Sequence, residues 1–164
     1  MQIIVHGATG RMGQLICAAA GNEVTARISP GYPTSENGCW RTLAEYQGSA
    51  DCVIDFSHHS ATGTLVNYCL ARRLPLLIAT TGQTEPERAQ IEAAAAEIPV
   101  FFASNYSLGI AVLADIARRA TAMFPDADIE IVEMHHNQKL DVPSGAALTL
   151  ASSITSVRPS AELV

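Results

Sequence analysis

The segment 133–145 holds the densest set of side chains able to do acid–base chemistry. It reads Glu-Met-His-His-Asn-Gln-Lys-Leu-Asp-Val-Pro-Ser-Gly and contains His135, His136 and Lys139. Imidazole and ammonium groups can bind carboxylates and can supply protons to a reacting carbon or nitrogen. The helix predicted to begin near Gly145 adds free backbone N–H donors for an anion. The pattern therefore favours a site that binds a carboxylate and donates a proton over a merely solvated loop.

A metal site is disfavoured by the spacing of the candidate ligands. His135 and His136 are adjacent, so on an extended backbone they point to opposite sides, and no further spaced His or Cys completes a set. The chain has four cysteines and no C-x-x-C pair, which excludes zinc-ribbon and thioredoxin-like sites. We expect the cysteines to be reduced core residues and predict no metal.

A glycine-rich turn lies near the start of the chain. Gly7, Gly10 and Gly13 form a G-x-x-G-x-x-G pattern directly after a short strand rich in Ile and Val, and the pattern opens a helix. In such a turn the first glycine permits a tight bend, the second lets the backbone approach a pyrophosphate, and the third allows close helix–strand packing. The pattern in this context predicts a dinucleotide site rather than a merely structural turn.

The second strand leaves the choice of dinucleotide open. NAD-binding folds usually carry a carboxylate at its end for the adenosine ribose, whereas this strand ends in Arg27-Ile28-Ser29. Arg27 is able to pair with a 2′-phosphate, although an arginine within a strand more often faces solvent. We therefore expect NADH or NADPH.

Two further polar turns follow predicted strands, at 80–82 and 103–106. Both fall at the edge of the sheet where ligands of open α/β folds lie, although their positions fit ordinary loops equally well. His58 and His59 are interpreted as surface residues, and His6 as a core or turn residue.

The elements that must position these residues alternate between strands and helices. Short apolar strands are predicted at 2–6, 23–28, 51–56, 76–79 and 100–103, and helices at 12–20, 41–46, 61–73 and 84–97. The helix at 84–97 begins with a capping box from Thr84 to Glu87. The pattern predicts an α/β, Rossmann-like, doubly wound parallel sheet. A helix at 108–124, a strand at 128–134 and a helix from Gly145 predict the start of a second α/β domain.

Length and charge bound the remaining possibilities. The 164 residues suggest a dinucleotide-binding domain at 1–106 and the start of a substrate-binding and oligomerisation domain at 107–164, which we expect to be truncated. A net charge of −6 disfavours nucleic acid and membrane surfaces as partners. Charged residues make up 16 %, below an average of about 25 %, which suggests that another subunit or further chain covers part of the surface. We find no signal peptide or membrane span and expect a cytoplasmic protein.

Five segments carry a resemblance to a known family: 7–13, 51–57, 79–82, 103–109 and 133–145. The last is similar to the signature E-x-H-H-x-x-K-x-D-x-P-S-G, which is highly specific. On these motifs the chain resembles the 4-hydroxy-tetrahydrodipicolinate reductase (dihydrodipicolinate reductase) family over essentially its whole length. The resemblance implies NAD(P)H-dependent reduction of a small dicarboxylate, 4-hydroxy-tetrahydrodipicolinate, to tetrahydrodipicolinate in lysine and diaminopimelate biosynthesis. It also implies a homotetramer and a missing C-terminal part.

The resemblance assigns roles by motif position. His135 resembles the family's proton donor and acceptor and Lys139 its second proton donor, while His136, Gly145 and Ala146 resemble substrate-carboxylate binders. The implied cofactor-binding residues are Gly7, Ala8, Thr9, Gly10, Arg11, Met12, Ala79, Thr80, Thr81, Ala103, Ser104, Asn105 and Tyr106. Two positions depart from the family: Ala79 replaces glycine and Ala146 replaces threonine. Losing the threonine hydroxyl removes a hydrogen bond to a charged group worth roughly 1.5–3 kcal/mol, although backbone donors survive both changes.

Two other functions remain open from the residues. A non-catalytic dinucleotide sensor or regulatory module would need the glycine turn but no proton-donating pair. Another nicotinamide-dependent dehydrogenase acting on an imino or amino acid would differ in its substrate.

Overall fold

A computed structural model describes residues 1–32, 37–135, 137 and 142–162 of the chain. It divides into two units, Met1–Ala103 and Ser104–Val164. None of the helices in the described part is both long and apolar enough to cross a membrane.

Six parallel strands form the sheet of the first unit. They are β1 (Ile3–His6), β2 (Val24–Ile28), β3 (Cys39–Trp40), β4 (Cys52–Asp55), β5 (Leu76–Ile78) and β6 (Val100–Phe102). Their order in the sheet is β3-β2-β1-β4-β5-β6, and every neighbouring pair is parallel. The order therefore reverses between β1 and β4, which is the topological switch point where ligands bind in this class of sheet.

Helices cover both faces of the sheet. They are α1 (Arg11–Ala20), α2 (Thr62–Arg72) and α3 (Glu85–Ala95). Successive side chains of a strand point to opposite faces, so Ile3 and Val5 of β1 pack with Ile16 of α1, whereas Ile4 joins the core that contains Leu65 and Ile91 of α2 and α3. The predicted doubly wound α/β fold is confirmed.

The start of α3 has the predicted capping box. The backbone N–H of Thr84 donates to Glu87 Oε2 at 2.7 Å, and the Glu87 N–H donates to Thr84 Oγ1 at 3.4 Å. Accepting this backbone hydrogen bond lowers the pKa of Glu87, with further lowering from the Thr84 hydroxyl and His59. The helix start is therefore fixed by ionised Glu87.

Two local predictions in this unit were wrong. The helix predicted at 41–46 is a single 3₁₀ turn, Leu43–Glu45, and strand β3 lies at Cys39–Trp40, where the sequence predicted no strand. β3 has only two residues, and it forms because Cys39 and Trp40 pair with Arg27 and Ile28. Strand pairing of this length leaves no periodic pattern in the sequence.

The cysteines of the first unit are free thiols. Cys17, Cys39 and Cys52 are half-buried, and Cys69 is fully buried on the face of α2 that packs into the core. Burial raises the pKa of the Cys69 thiol to about 12, so it stays protonated and behaves as a small apolar residue.

The second unit contains helices α4 (Leu108–Met123) and α5 (Gly145–Thr155). The two helices pack together, with Ala114 and Thr121 of α4 and Ala151 and Ile154 of α5 buried. After α5, the Arg158 guanidinium donates to the carbonyls of Phe124 and Ala127 at 2.7 and 2.8 Å, which ties the end of α4 to the segment after α5.

The prediction of a strand at 128–134 was wrong. All seven residues are described, and none of them belongs to a strand. A β-strand requires a hydrogen-bonded neighbour, and the described residues of this unit form only α4 and α5 as regular elements. The apolar residues of the segment therefore stay exposed, including Val132 at 84 % and Met134 at 92 %.

Candidate functional site

Five strands of the first unit end at the same edge of the sheet. His6 pairs with both Ile28 and Asp55, Asp55 pairs with Ile78, and Ile78 pairs with Phe102. Each of these residues is the last of its strand, so the turns that follow all leave the sheet together. This edge collects the sequence-predicted cofactor segments 7–12 and 79–81 and residue Ala103.

Gly7 and Gly13 are required by close packing. Gly7 has φ +82°, and a Cβ there would lie 2.3 Å from the carbonyl oxygen of Phe56. A Cβ on Gly13 would lie 2.2 Å from the Gly7 carbonyl oxygen. Both distances are well inside van der Waals contact, so these glycines let α1 and the turn after β4 approach the end of β1.

Gly10 occupies a different environment in the same turn. It is exposed, and a Cβ there would meet only the Gly7 oxygen at 3.2 Å and the Phe56 oxygen at 3.9 Å. Gly10 is the N-cap residue of α1, and none of the described side chains caps the helix. The helix N-terminus therefore presents its backbone N–H groups at the switch point, an arrangement that fits the pyrophosphate of a dinucleotide.

The end of β2 carries hydroxyl groups where a carboxylate is common. Ser29 Oγ lies 2.5 Å from Thr9 Oγ1, and the Gly31 N–H donates to Ser29 Oγ at 3.3 Å. Burial raises the pKa of the Cys17 thiol, against the opposing effect of the positive charge of Arg27. Ser29 thus joins the glycine turn to the end of β2 without adding a negative charge.

A buried polar cluster joins β1, β4 and the loop after β5. Asp55 Oδ1 accepts from His6 Nδ1 at 2.8 Å and from the Ser57 hydroxyl at 2.6 Å, and Asp55 Oδ2 accepts from the Thr80 hydroxyl at 2.6 Å. His6 is thus the buried residue that the sequence predicted. The sequence analysis gave Asp55 no role. A carboxylate at the last position of an apolar strand, at the edge of the sheet where ligands bind, is nevertheless a signal that could have identified it.

The other two histidines of this unit hold local structure. His58 Nδ1 accepts from the Ser60 N–H at 3.3 Å and caps the 3₁₀ turn His59–Ala61. His59 Nδ1 lies 3.1 Å from Glu87 Oε2 at the start of α3.

His135 is held beside the start of α5 in the second unit. Its Nδ1 lies 3.6 Å from Glu133 Oε2, and its side chain is 40 % exposed. Glu133 Oε1 accepts from the Ser144 N–H at 2.9 Å, and Ser144 Oγ caps α5 by accepting from the Ala147 N–H at 3.1 Å. Glu133 therefore contacts both His135, the candidate proton donor, and the start of α5, where the candidate anion site lies. The sequence analysis gave Glu133 no role.

Gly145 and Ala146 are the first two residues of α5, and both are half-buried. A Cβ on Gly145 would lie 3.6 Å from Ser104 Cβ, so this unit brings a predicted substrate residue next to a predicted cofactor residue. Asn105 Oδ1 accepts from the Ser107 N–H at 2.9 Å and shapes the turn into α4, and Tyr106 is 43 % exposed.

His136 and Lys139 lie outside the described residues. Their roles, and those of the other site residues, remain predictions. Within the described part of the chain, no group of three or more His, Cys, Asp or Glu side chains is arranged to hold a metal ion.

Two family models match the chain in succession. "Dihydrodipicolinate reductase, N-terminus" matches residues 1–106, and "Dihydrodipicolinate reductase, C-terminus" matches residues 109–162.

The chain is similar to curated and solved proteins of the same kind. The 4-hydroxy-tetrahydrodipicolinate reductase of Caldanaerobacter subterraneus subsp. tengcongensis is 40% identical over 163 residues, which cover 97% of this chain and 65% of the relative. The protein of the same name from Campylobacter jejuni subsp. jejuni is 42% identical over 158 residues, which cover 96% of this chain and 63% of the relative. A solved structure, dipicolinate-bound dihydrodipicolinate reductase from Paenisporosarcina sp. TG-14, is 27% identical with a TM-score of 0.76, covering 100% of this chain and 69% of that one. The chain thus spans less than two thirds of the length of these two curated relatives.

Proposed function

Because the chain belongs to the dihydrodipicolinate reductase family, we propose that it carries out the NAD(P)H-dependent reduction of 4-hydroxy-tetrahydrodipicolinate to tetrahydrodipicolinate. The observation that carries the proposal is the succession of both family matches, the first over the sheet unit and the second over α4 and α5. The name shared by the relatives at about 40% identity supports the choice of substrate.

The first unit supplies the nucleotide site in this proposal. The exposed N-terminus of α1 at Gly10 receives the pyrophosphate, and the turn at 79–81 and Ala103 hold further parts of the nucleotide in this unit. Bound NADH or NADPH supplies a hydride. The hydroxyl pair of Thr9 and Ser29 leaves room for either nucleotide, since it places no carboxylate against a 2′-phosphate.

The second unit supplies the acid–base chemistry. Reduction of a ring conjugated to carboxylates develops negative charge, so a proton must be delivered to the substrate. His135 is the proton donor, and Glu133 Oε2 lies 3.6 Å from its Nδ1, where the carboxylate attracts a protonated imidazole. Lys139 is the second proton donor, and His136 with the backbone at Gly145 and Ala146 binds the substrate carboxylates.

The placement of His135 also favours an enzyme over a nucleotide sensor. A sensor needs the glycine turn alone, whereas this chain also places a histidine beside Glu133, which accepts a hydrogen bond from the N-cap residue of α5. A nicotinamide-dependent dehydrogenase acting on another imino or amino acid is the remaining alternative, and a substrate panel separates it.

The test is steady-state kinetics with enzymatically generated substrate, following NADH or NADPH oxidation. His135→Gln removes the proton donor and should lower kcat by about 10²–10⁴-fold. The Kd of each nucleotide, measured by calorimetry, should stay unchanged. Lys139→Ala should lower kcat and raise KM together, because lysine also offers a positive charge to the dicarboxylate.

Asn137→Ala is the matched control, since it changes an exposed residue of the same loop to which no role is assigned. It should keep the wild-type kcat. A wild-type protein without reductase activity on this substrate contradicts the proposed function. A His135→Gln variant with near wild-type kcat contradicts the assigned proton transfer alone.

A homo-oligomer, with four subunits as in the family resemblance, is part of the proposal. It is supported by the exposed apolar side chains of the second unit, among them Val112, Ile116 and Val132.

A further inference from the structure

Asp55 is the least exposed charged residue among the described buried polar groups, at 2 % exposure. Both carboxylate oxygens are used: Oδ1 accepts from the His6 ring, the Ser57 hydroxyl and the Ser57 N–H, and Oδ2 accepts from the Thr80 hydroxyl. The carboxylate is therefore saturated by side chains and backbone from three separate segments of the chain.

Stability alone does not account for a carboxylate at this position. Burying a charged group costs several kcal/mol, and well-packed apolar replacements of buried charged networks are often as stable or more stable. The partners of Asp55 instead share a location. His6 immediately precedes the glycine turn, Ser57 lies in the turn after β4, and Thr80 lies in the loop after β5. Asp55 thus ties together three turns that leave the ligand edge of the sheet.

The loop after β5 is held by its buried residue and presents its exposed ones. Thr80 is 7 % exposed; its hydroxyl is bound by Asp55, and its carbonyl accepts from Gln83 Nε2 at 2.8 Å. The Ala79 N–H donates to the Asp55 carbonyl at 3.0 Å, whereas Thr81 and Gly82 are exposed. Fixing Thr80 therefore fixes the backbone that Thr81 and Gly82 present at the edge.

The position of this loop in the sheet indicates which half of a dinucleotide it meets. The pyrophosphate lies at the switch point on the glycine turn, and the adenosine ribose lies at the end of β2. β4 and β5 lie on the opposite side of β1 from β2. The loop after β5 therefore faces the nicotinamide half.

We propose that Asp55 is a positioning residue. Through Thr80, it holds the loop after β5 in the conformation that binds the nicotinamide half of the nucleotide. Asp55 touches neither substrate nor cofactor and acts through the Thr80 hydroxyl. The inference rests on the proposed function only for the identity of the nucleotide.

Two ligands separate this role from a general structural one. NADH carries both halves, whereas ADP lacks the nicotinamide and its ribose, and both are titrated into the wild-type chain and its variants by calorimetry. Asp55→Asn replaces one acceptor oxygen by an amide, and Thr80→Val removes the hydroxyl at nearly constant volume. Each should weaken NADH binding by about tenfold and leave ADP binding unchanged.

Thr80→Ser and Asp51→Asn are the controls. Thr80→Ser keeps the donor to Asp55 and should restore most of the NADH affinity that Thr80→Val loses. Asp51 immediately precedes β4 at the opposite edge of the sheet, where Oδ2 accepts from the Gln2 N–H at 2.6 Å. Asp51→Asn also weakens a carboxylate hydrogen bond, but it should change neither the affinity for NADH nor that for the ligand without nicotinamide.

Each other outcome overturns the inference. Equal losses of NADH and ADP affinity in Asp55→Asn or Thr80→Val indicate a structural role, and wild-type NADH affinity in Thr80→Val shows that the hydroxyl is not needed. Should Asp55→Asn fail to fold, the comparison of Thr80→Val with Thr80→Ser decides. A wild-type chain that binds neither ligand overturns the proposed function as well, which separates the two failures.

Discussion

At the scale of single residues, Gly10 and Gly13 share a motif but differ in what surrounds them. A methyl group on Gly13 would lie 2.2 Å from a backbone oxygen, whereas one on Gly10 would lie 3.2 Å from the same oxygen and would otherwise face solvent. Gly13→Ala should therefore lower the free energy of unfolding by about 1–3 kcal/mol. Gly10→Ala should lower it by less than about 1 kcal/mol and still abolish NADH and NADPH binding, because its methyl group covers the end of α1.

The change in the free energy of unfolding is measured by urea unfolding, followed by the fluorescence of Trp40. This residue is the one tryptophan of the chain and lies in the unit that contains both glycines. The loss of NADH and NADPH binding in Gly10→Ala is measured by calorimetric titration with each nucleotide. Nucleotide affinity that survives Gly10→Ala would show that the turn is structural only.

At the scale of elements, the start of α3 depends on a reciprocal pair. Thr84 Oγ1 accepts from the Glu87 N–H, and Glu87 Oε2 accepts from the Thr84 N–H. Thr84→Ala removes the N-cap acceptor and should lower the free energy of unfolding by about 1 kcal/mol. Glu92→Ala, an exposed change in the middle of the same helix, should alter it by less than about 0.5 kcal/mol.

The same cap predicts a pH dependence of stability. The backbone hydrogen bond from Thr84 lowers the pKa of Glu87 from 4.5, so the unfolded chain takes up the proton first as the pH falls. The stabilising contribution of Glu87 is therefore complete above pH 4.5 and is lost as the pH falls through the lowered pKa. The difference in unfolding free energy between wild type and Glu87→Gln, measured by urea titration across this range, should shrink in acid. A difference that grows in acid would contradict this sign.

At the scale of the whole molecule, exposed apolar surface concentrates in the second unit. Ile116 is 56 % exposed on α4, and Val132 and Met134 are almost fully exposed in the segment after it. Large exposed apolar side chains in such number are typical of association sites, so we predict that the chain self-associates through the second unit. Ile116→Asp should shift the sedimentation coefficient towards that of a monomer.

Leu15→Asp is the control for this prediction. Leu15 is 59 % exposed on α1 of the first unit, so its replacement adds the same charge at similar exposure. It should leave the sedimentation coefficient unchanged. Equal behaviour of the two variants, or a monomeric wild type at all concentrations, would show that the second unit is not the association surface.

The elements of the sheet unit could be predicted because their signals are local. Apolar strands of three to five residues, the helix-start pattern at Thr84 and the glycine spacing after β1 each depend on neighbours in sequence. Propensity and periodicity act over this range, and most predicted boundaries agree with the structure within two residues. The strand predicted at 128–134 failed because a strand also needs a partner, which its own pattern does not specify.

The chemistry of the site divides in the same way. The sequence by itself determined the residue types, the glycine spacing and the candidate proton donors, because these are properties of short segments. Only the tertiary structure decided that Asp55 contacts Thr80 and His6, residues 25 and 49 positions away, and that Glu133 joins His135 to Ser144. Such contacts depend on which strands become neighbours and where helices begin in space, since a side chain bonds to whatever the fold brings within about 3 Å of it.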